Sequence, residues 1–271
     1  MNEKLRVGTG RNLDLAIASI FGKLKANIDF SFVDEQQRTI IFTSALPNEG
    51  KTTIAVNVAA AMAASGKKTV VLDADIRNPT AHLLFSIVNA RGLSYIISQN
   101  GDWHSFVFKS KVPNLYIIPA GRKPSNPSRF LSSERFRNLI KEIAGEFDYV
   151  VLDTPPILLV PDTQIISPHA DGVVLVIKNG KTSRESVKRA HETLLRANAN
   201  VIGAVLNHAG KKESVYGYGY GYGYGMDSHK NSRTPGKPRD VSSAKKKPHE
   251  ASKTPASAGV RKPTSPGTES K

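Results

Sequence analysis

The stretch Ala45–Thr53 reads ALPNEGKTT and closes on Gly50-Lys51-Thr52-Thr53. Each residue type suits one part of a nucleoside triphosphate. A glycine lets backbone N–H groups approach phosphate oxygens, a lysine reaches the terminal phosphates, and a hydroxyl one residue further on can ligate Mg²⁺. The spacing is that of a phosphate loop, with Ala45 where the pattern begins with glycine. Asn48, Glu49, Gly50, Lys51, Thr52 and Thr53 are therefore the expected ATP contacts. Three carboxylates stand in a related context: Asp73 and Asp75 in VVLDADIR, and Asp153 in YVVLDTPP. Nucleotide-bound Mg²⁺ prefers hard oxygen ligands and keeps several waters, so one or two acids beside such a loop complete its needs. Asp153, behind four apolar residues, is the natural metal-site acid.

Chemistry of this kind requires elements that bring distant residues to one edge. Thr39–Ser44, Lys68–Asp75, Leu115–Gly121, Asp148–Asp153, Gly172–Lys178 and Val201–Asn207 are short, apolar and rich in β-branched residues, so they predict buried strands. Helices are predicted between them. One runs from about Lys51 to Ala64 and is closed by Ser65-Gly66, and another carries Phe136, Leu139, Ile140, Ile143 and Ala144 on one face. A third has Thr182 and Glu185 at capping-box spacing ahead of Val187, Ala190, Leu194 and Leu195. Leu13, Ile17, Ile20, Phe21, Leu24 and Ile28 predict an amphipathic N-terminal helix over residues 12–26. Continuous apolar strands alternating with helices give an α/β fold of the P-loop NTPase type, a mainly parallel sheet with helices on both faces. Ligands of such sheets bind at the carboxyl ends of the strands, where the loop and acids fall.

Composition removes other chemistries. There is no cysteine among the 271 residues, hence no disulfide framework, thiolate metal site or thiol nucleophile. The seven histidines lack metal-ligand spacing, Trp103 reads as packing, and no Gly-x-Ser-x-Gly elbow is present. Ile54–Ala64 is too short for a membrane span and carries Asn57, and the first residues lack the apolar core of a secretory signal, so a cytoplasmic location is expected.

The last 46 residues, from Met226, hold eleven Lys and Arg against four Asp and Glu, with six prolines and almost no large apolar side chains. Such a segment cannot bury enough surface to fold, and it carries +7 of the chain's formal +15. Just before it, Tyr216, Tyr218, Tyr220, Tyr222 and Tyr224 alternate with single glycines. The alternation opposes helix and packed strand and leaves each phenol accessible on a tether. Four units follow: a lead-in over 1–38, a catalytic domain over 39–210, the tyrosine cluster over 211–225 and the basic tail over 226–271.

Taken together, these motifs resemble the bacterial tyrosine autokinases (BY-kinases) that regulate capsular and exopolysaccharide synthesis and export. The resemblance spans residues 19–225 and rests on SALPNEGKTT as Walker A, VVLDADIRNP as the family's additional Walker A′ and DYVVLDTPP as Walker B. LYIIPAGRKPSNPSRFLSS, LLVPDTQIIS and the tyrosine cluster add to it. It implies that Lys51 and Thr52 hold ATP and Mg²⁺, that Asp153 belongs to the metal site with Thr52 and Asp73, and that Asp73 and Asp75 assist the metal and accept the tyrosine proton. The division of roles between those two stays open. Tyr216 to Tyr224 would be the phosphoacceptors, probed in trans by self-association. The resemblance also implies a membrane adaptor of the chain-length-regulator type, recruitment to the inner face of the plasma membrane, and a cognate tyrosine phosphatase. The family's ring contact, E-x-x-R-x-x-R on the N-terminal helix, falls here on Ser19, Gly22 and Lys25, so it does not carry over.

Two other classes compete. A positioning ATPase of the ParA/MinD type shares the fold, but that family has a second lysine early in the loop, where this chain has Leu46. A nucleic-acid-binding role would rest on the tail alone, without a recognition module in the rest of the chain, so no nucleic-acid partner is expected.

Overall fold

The computed structural model describes residues 13–32, 38–99 and 101–209. The tyrosine cluster, the basic tail and the expected boundary at residue 210 lie outside the described residues. Seven strands form one sheet: β1 Arg38–Ser44, β2 Thr69–Asp73, β3 Phe108–Lys109, β4 Leu115–Ile118, β5 Tyr149–Asp153, β6 Gly172–Lys178 and β7 Val201–Asn207. Their spatial order is β3-β4-β2-β5-β1-β6-β7, parallel throughout except for the two-residue β3. β1, β2 and β5 are buried along their whole length, as expected of strands covered on both faces.

The helices are α1 Leu13–Phe30, α2 Lys51–Ala64, α3 Ala81–Phe85, α4 Leu93–Gln99, α5 Pro127–Leu131, α6 Glu134–Ala144, α7 Asp162–Ile166 and α8 Arg184–Arg196. They divide into two layers. Ile28 of α1, Ile54, Val58 and Met62 of α2, and Leu84 and Phe85 of α3 pack against Ile40, Phe42, Val71 and Val151. Leu93 and Ile97 of α4, Leu131 of α5, Phe136 and Ile140 of α6, Ile166 of α7 and Leu194 of α8 cover the other face, against Ile41, Leu72, Val150 and Leu175. Trp103 is buried in that second layer.

Several expected limits shift for local reasons. β2 ends at Asp73, with the Ala74 N–H to the Asp153 carbonyl, 2.8 Å, as the last rung of its ladder with β5, so Asp75 lies beyond the strand in the loop. β4 stops before Pro119, which has no N–H for a ladder. The expected cap at Thr182 is displaced: Ser183 is the N-cap of α8, accepting from the Ser186 N–H at 3.1 Å, while the Thr182 hydroxyl accepts from the Lys178 N–H and donates to Glu49. On α1 the buried stripe runs through Phe21, Leu24 and Ile28, and Ile20 points out at 63% exposure. Ser19 and Gly22 are exposed, and Lys25 pairs with Asp29 at 2.7 Å.

A candidate nucleotide and phosphoryl-transfer site

Three adjacent strands, β2, β5 and β1, end at one edge of the sheet and set the positions of the acids. Asp73 and Asp153 are register partners, and Phe42 of β1 pairs with Asp153 from the other side. The loop after β1 then turns back over them. Gly50 takes φ +91°, in the region open to glycine, and a Cβ there would come within 2.2 Å of Asn207 Nδ2. α2 starts directly behind Gly50 with no side chain capping it. Its first-turn N–H groups are therefore available at the cavity beside the loop, an arrangement that favours anions.

The charged groups meet beneath that loop. Lys51 Nζ lies 2.9 Å from Asp75 Oδ2 and 3.5 Å from Asp153 Oδ1. The Thr52 hydroxyl donates to Asp153 Oδ2 at 2.6 Å and stands 3.1 Å from the Thr80 hydroxyl. Asp75 also accepts from the Asn78 N–H at 3.1 Å, which curls the segment after β2 into the site. Burial alone would lower the Lys51 pKa, but Asp153 and Asp75 outweigh it and hold the ammonium above its usual value. Burial raises Asp153, against the pull of Lys51 and Thr52. Asp73 is pushed well above the carboxylate range by burial and then by Asp153, although the Ala81 N–H and Lys51 oppose this. Its Oδ2 accepts from that N–H at 3.0 Å, and its Oδ1 is buried with no partner among the described residues. Such an orphaned carboxylate oxygen suits a cation or a proton.

A cavity of about 370 Å³ opens here, lined by Asn48, Gly50, Lys51, Thr52, Thr53 and Asp75 together with polar Asn78 and Thr80 and apolar Pro47, Pro156 and Leu159. Of the expected ATP contacts, Glu49 differs in kind. Its side chain is buried, accepting from the Leu46 N–H at 2.9 Å and from the Thr182 hydroxyl, so it braces the loop from within. Asn207, at the end of β7, donates to the Glu49 carbonyl at 2.9 Å, and Lys178, at the end of β6, donates to the Asn48 carbonyl at 3.3 Å. These bracing roles were not apparent in the sequence, where Asn207 and Lys178 read as ordinary strand ends and Glu49 as an ATP contact.

A second network ties the flanking segments together. Arg77 donates bidentately to Asp162, Nε to Oδ2 at 2.6 Å and Nη2 to Oδ1 at 2.9 Å, and Nη2 also reaches the Ser128 hydroxyl at 2.9 Å. Ser128 in turn donates to Asp162 Oδ1 at 2.7 Å. The segment after β2, the α5 segment and the one after β5 are thus locked at one point, two residues from Asp75.

The comparisons with known proteins agree with this geometry. An AAA domain model matches residues 37–203. Tyrosine-protein kinase YwqD of Bacillus subtilis (strain 168) is 41% identical over 191 residues, covering 70% of this chain and 80% of that protein. Tyrosine-protein kinase CpsD of Streptococcus agalactiae is 34% identical over 198 residues, covering 73% and 86%. Among solved structures, the kinase domain of Escherichia coli tyrosine kinase ETK has a TM-score of 0.71 at 28% identity, covering 82% of this chain and 89% of that one. The cell division ATPase MinD of Pyrococcus furiosus, at TM-score 0.55 and 20% identity over 63% and 72% of the two chains, shares the fold alone. With Lys51, Thr52, the strand-end Asp73 and Asp153 and the loop residue Asp75 placed beside the phosphate loop, the chain belongs to the family of bacterial P-loop tyrosine kinases.

Proposed function

We propose that this kinase transfers the γ-phosphoryl group of ATP to Tyr216, Tyr218, Tyr220, Tyr222 and Tyr224 of a neighbouring copy and thereby regulates capsular or extracellular polysaccharide synthesis and export. The observation that carries the reading is a loop-covered cavity lined by Lys51, Thr52 and Asp75, with Asp153 bonded to Lys51 and Thr52 behind it and Asp73 its register partner. Among the described residues no three carboxylates or imidazoles form a metal cage on their own. That fits Mg²⁺, which binds through one or two carboxylates and completes its shell with other oxygens, from hydroxyl, phosphate and water. Thr52, Asp153 and the free oxygen of Asp73 are the residues that would hold it. Bound there, Mg²⁺ supplies charge neutralisation on the phosphates.

The phenol oxygen of the acceptor forms a bond to the γ-phosphorus as the bond from that phosphorus to the bridging oxygen breaks, and ADP leaves with the electron pair. Lys51 and the α2 N–H groups neutralise charge on the transferring group. A tyrosine with pKa near 10 must give up its proton as it attacks. Asp73 or Asp75 accepts it, and of the two Asp75 lines the cavity. A membrane adaptor of the chain-length-regulator type would activate the enzyme at the inner face of the plasma membrane, and a tyrosine phosphatase would reset the cluster. No helix among the described residues is long and apolar enough to cross a membrane.

The test is incubation of the full chain with Mg-ATP followed by intact and peptide mass spectrometry, with Lys51→Met as the control. Phosphates on residues 216–224 that the control lacks are the expected result. ATP turnover with unmodified tyrosines, persisting with a candidate adaptor's cytoplasmic segment present, would overturn the reading.

A further inference from the structure

A second cavity, of about 360 Å³, lies between α6 and the turn Ser167–His169 that leads into β6. It is remote from the nucleotide site. Asp171, on its wall, bonds Thr39 at the start of β1, whereas the phosphate loop follows the far end of that seven-residue strand, about 20 Å away. Arg137 and Lys141 reach the cavity from successive turns of α6, with His169 opposite. Like charges at this spacing cost a helix a few tenths of a kcal/mol. The α6 C-terminus accounts for one cation near its end, but not for two cations and an imidazole converging on one space. Their counter-charges are weak. The Asp171 carboxylate accepts from the Thr39 N–H at 2.6 Å, and the ion pair of Arg137 among the described residues is with the highly exposed Glu134, at 4.0 Å. Partial burial lowers the pKa of the otherwise exposed His169, and Arg137 and Lys141 add to that effect, so it faces the cavity as a neutral hydrogen-bond donor. Buried Ile140 and the Pro168 ring supply an apolar wall.

A doubly charged anion on a flat apolar ring satisfies both halves of this surface, and the volume is that of a small-molecule site. We propose that the Arg137–Lys141–His169 cavity binds a phosphotyrosine side chain presented by the cluster at Tyr216–Tyr224 of a second copy, so that the molecule reads its own product away from the site that makes it. This rests on the autokinase reading for the source of the ligand. The alternating glycines of the cluster let one phenol enter without a neighbouring side chain beside it.

The test uses the full chain, treated with phosphatase and saturated with Mg-ADP so that the nucleotide site is occupied. Anisotropy is measured with a synthetic GYGYGYG peptide phosphorylated on its central tyrosine, the unphosphorylated peptide, and inorganic phosphate as competitor. The phosphorylated peptide is expected to bind at least about tenfold more tightly than its counterpart, and Arg137→Gln with Lys141→Gln to remove about tenfold or more. Inorganic phosphate alone should compete only at far higher concentration. Equal binding of the two peptides, unchanged binding by the double variant, or equally effective competition by phosphate would each overturn the proposal. If the double variant melts early, Lys141→Glu on the exposed end of α6 takes its place with the same expectation. The peptide is phosphorylated by synthesis, so the result stands or falls apart from phosphate incorporation into the chain itself.

Discussion

Gly50→Ala tests the loop geometry most directly. An alanine at φ +91° costs about 1 kcal/mol in backbone strain alone. Its Cβ would stand 2.2 Å from Asn207 Nδ2, so that side chain must move by more than 1 Å to reach about 3.4 Å. The movement breaks the 2.9 Å bond to the Glu49 carbonyl, worth about 1–3 kcal/mol once the carbonyl is left unsatisfied. The sum is about 2–4 kcal/mol, equivalent to a roughly 30-fold or greater loss if it falls on the loop's nucleotide-competent form. A fluorescent ATP analogue measures the affinity, and the melting temperature should fall by about 4–8 °C for the lower figure in a domain of this size. A double-mutant cycle isolates the contact. Asn207→Ala removes the obstacle, so the pair Gly50→Ala with Asn207→Ala should cost about 1 kcal/mol less than the two single effects together. An additive cycle, or affinity in Gly50→Ala within threefold of the parent, would refute the assignment of Gly50 and Asn207 as mutually fitted parts.

The raised pKa of Asp73 has a direct thermal signature. Folding holds a proton that the unfolded chain releases, so this group's favourable contribution is present below about pH 4 and is lost as pH climbs toward the raised folded value. Without divalent metal, the melting temperature of Asp73→Asn minus that of the parent should therefore widen from pH 4 to 7, and a flat difference would contradict the burial argument. Arg77→Ala leaves the fully buried Asp162 carboxylate without its guanidinium and should cost about 3–5 kcal/mol; a melting temperature within 2 °C of the parent would count against it. Five phosphotyrosines add roughly −8 to −10 beside a tail of formal charge +7, reversing its sign. Deleting residues 226–271 should accordingly change the salt dependence of self-association, as followed by light scattering, and an unchanged slope would remove the tail from that role.

Most strands and the three long inter-strand helices were legible in the sequence because burial on both faces leaves continuous apolar runs, and amphipathic helices leave a period. The two-residue β3 and the five-residue α3, α5 and α7 carry too few residues for either signal. Lys51, Thr52, Asp73, Asp75 and Asp153 were legible because phosphate chemistry restricts residue type and spacing. Arg77, Ser128 and Asp162 sit 34 to 85 residues apart in sequence, and only the tertiary fold joins them. Thr182 shows the limit of local pattern matching. Its spacing to Glu185 is that of a cap, yet tertiary bonds to Lys178 and Glu49 engage its hydroxyl while the next residue caps the helix.

Asn207 is both a brace of the phosphate loop and, with His208, the point from which the chain runs on toward the tyrosines. From His208 to Tyr216 is eight residues, at most about 28 Å of extended chain. Covalent connection alone therefore confines the first phenol to a volume equivalent to on the order of 10 mM, far above the micromolar concentration of a typical assay. Transfer within one molecule would then be first order and indifferent to dilution. If transfer instead slows on dilution, intermolecular selection must overcome a local advantage of several thousandfold, so the short tether must strain or misalign the molecule's own tyrosine.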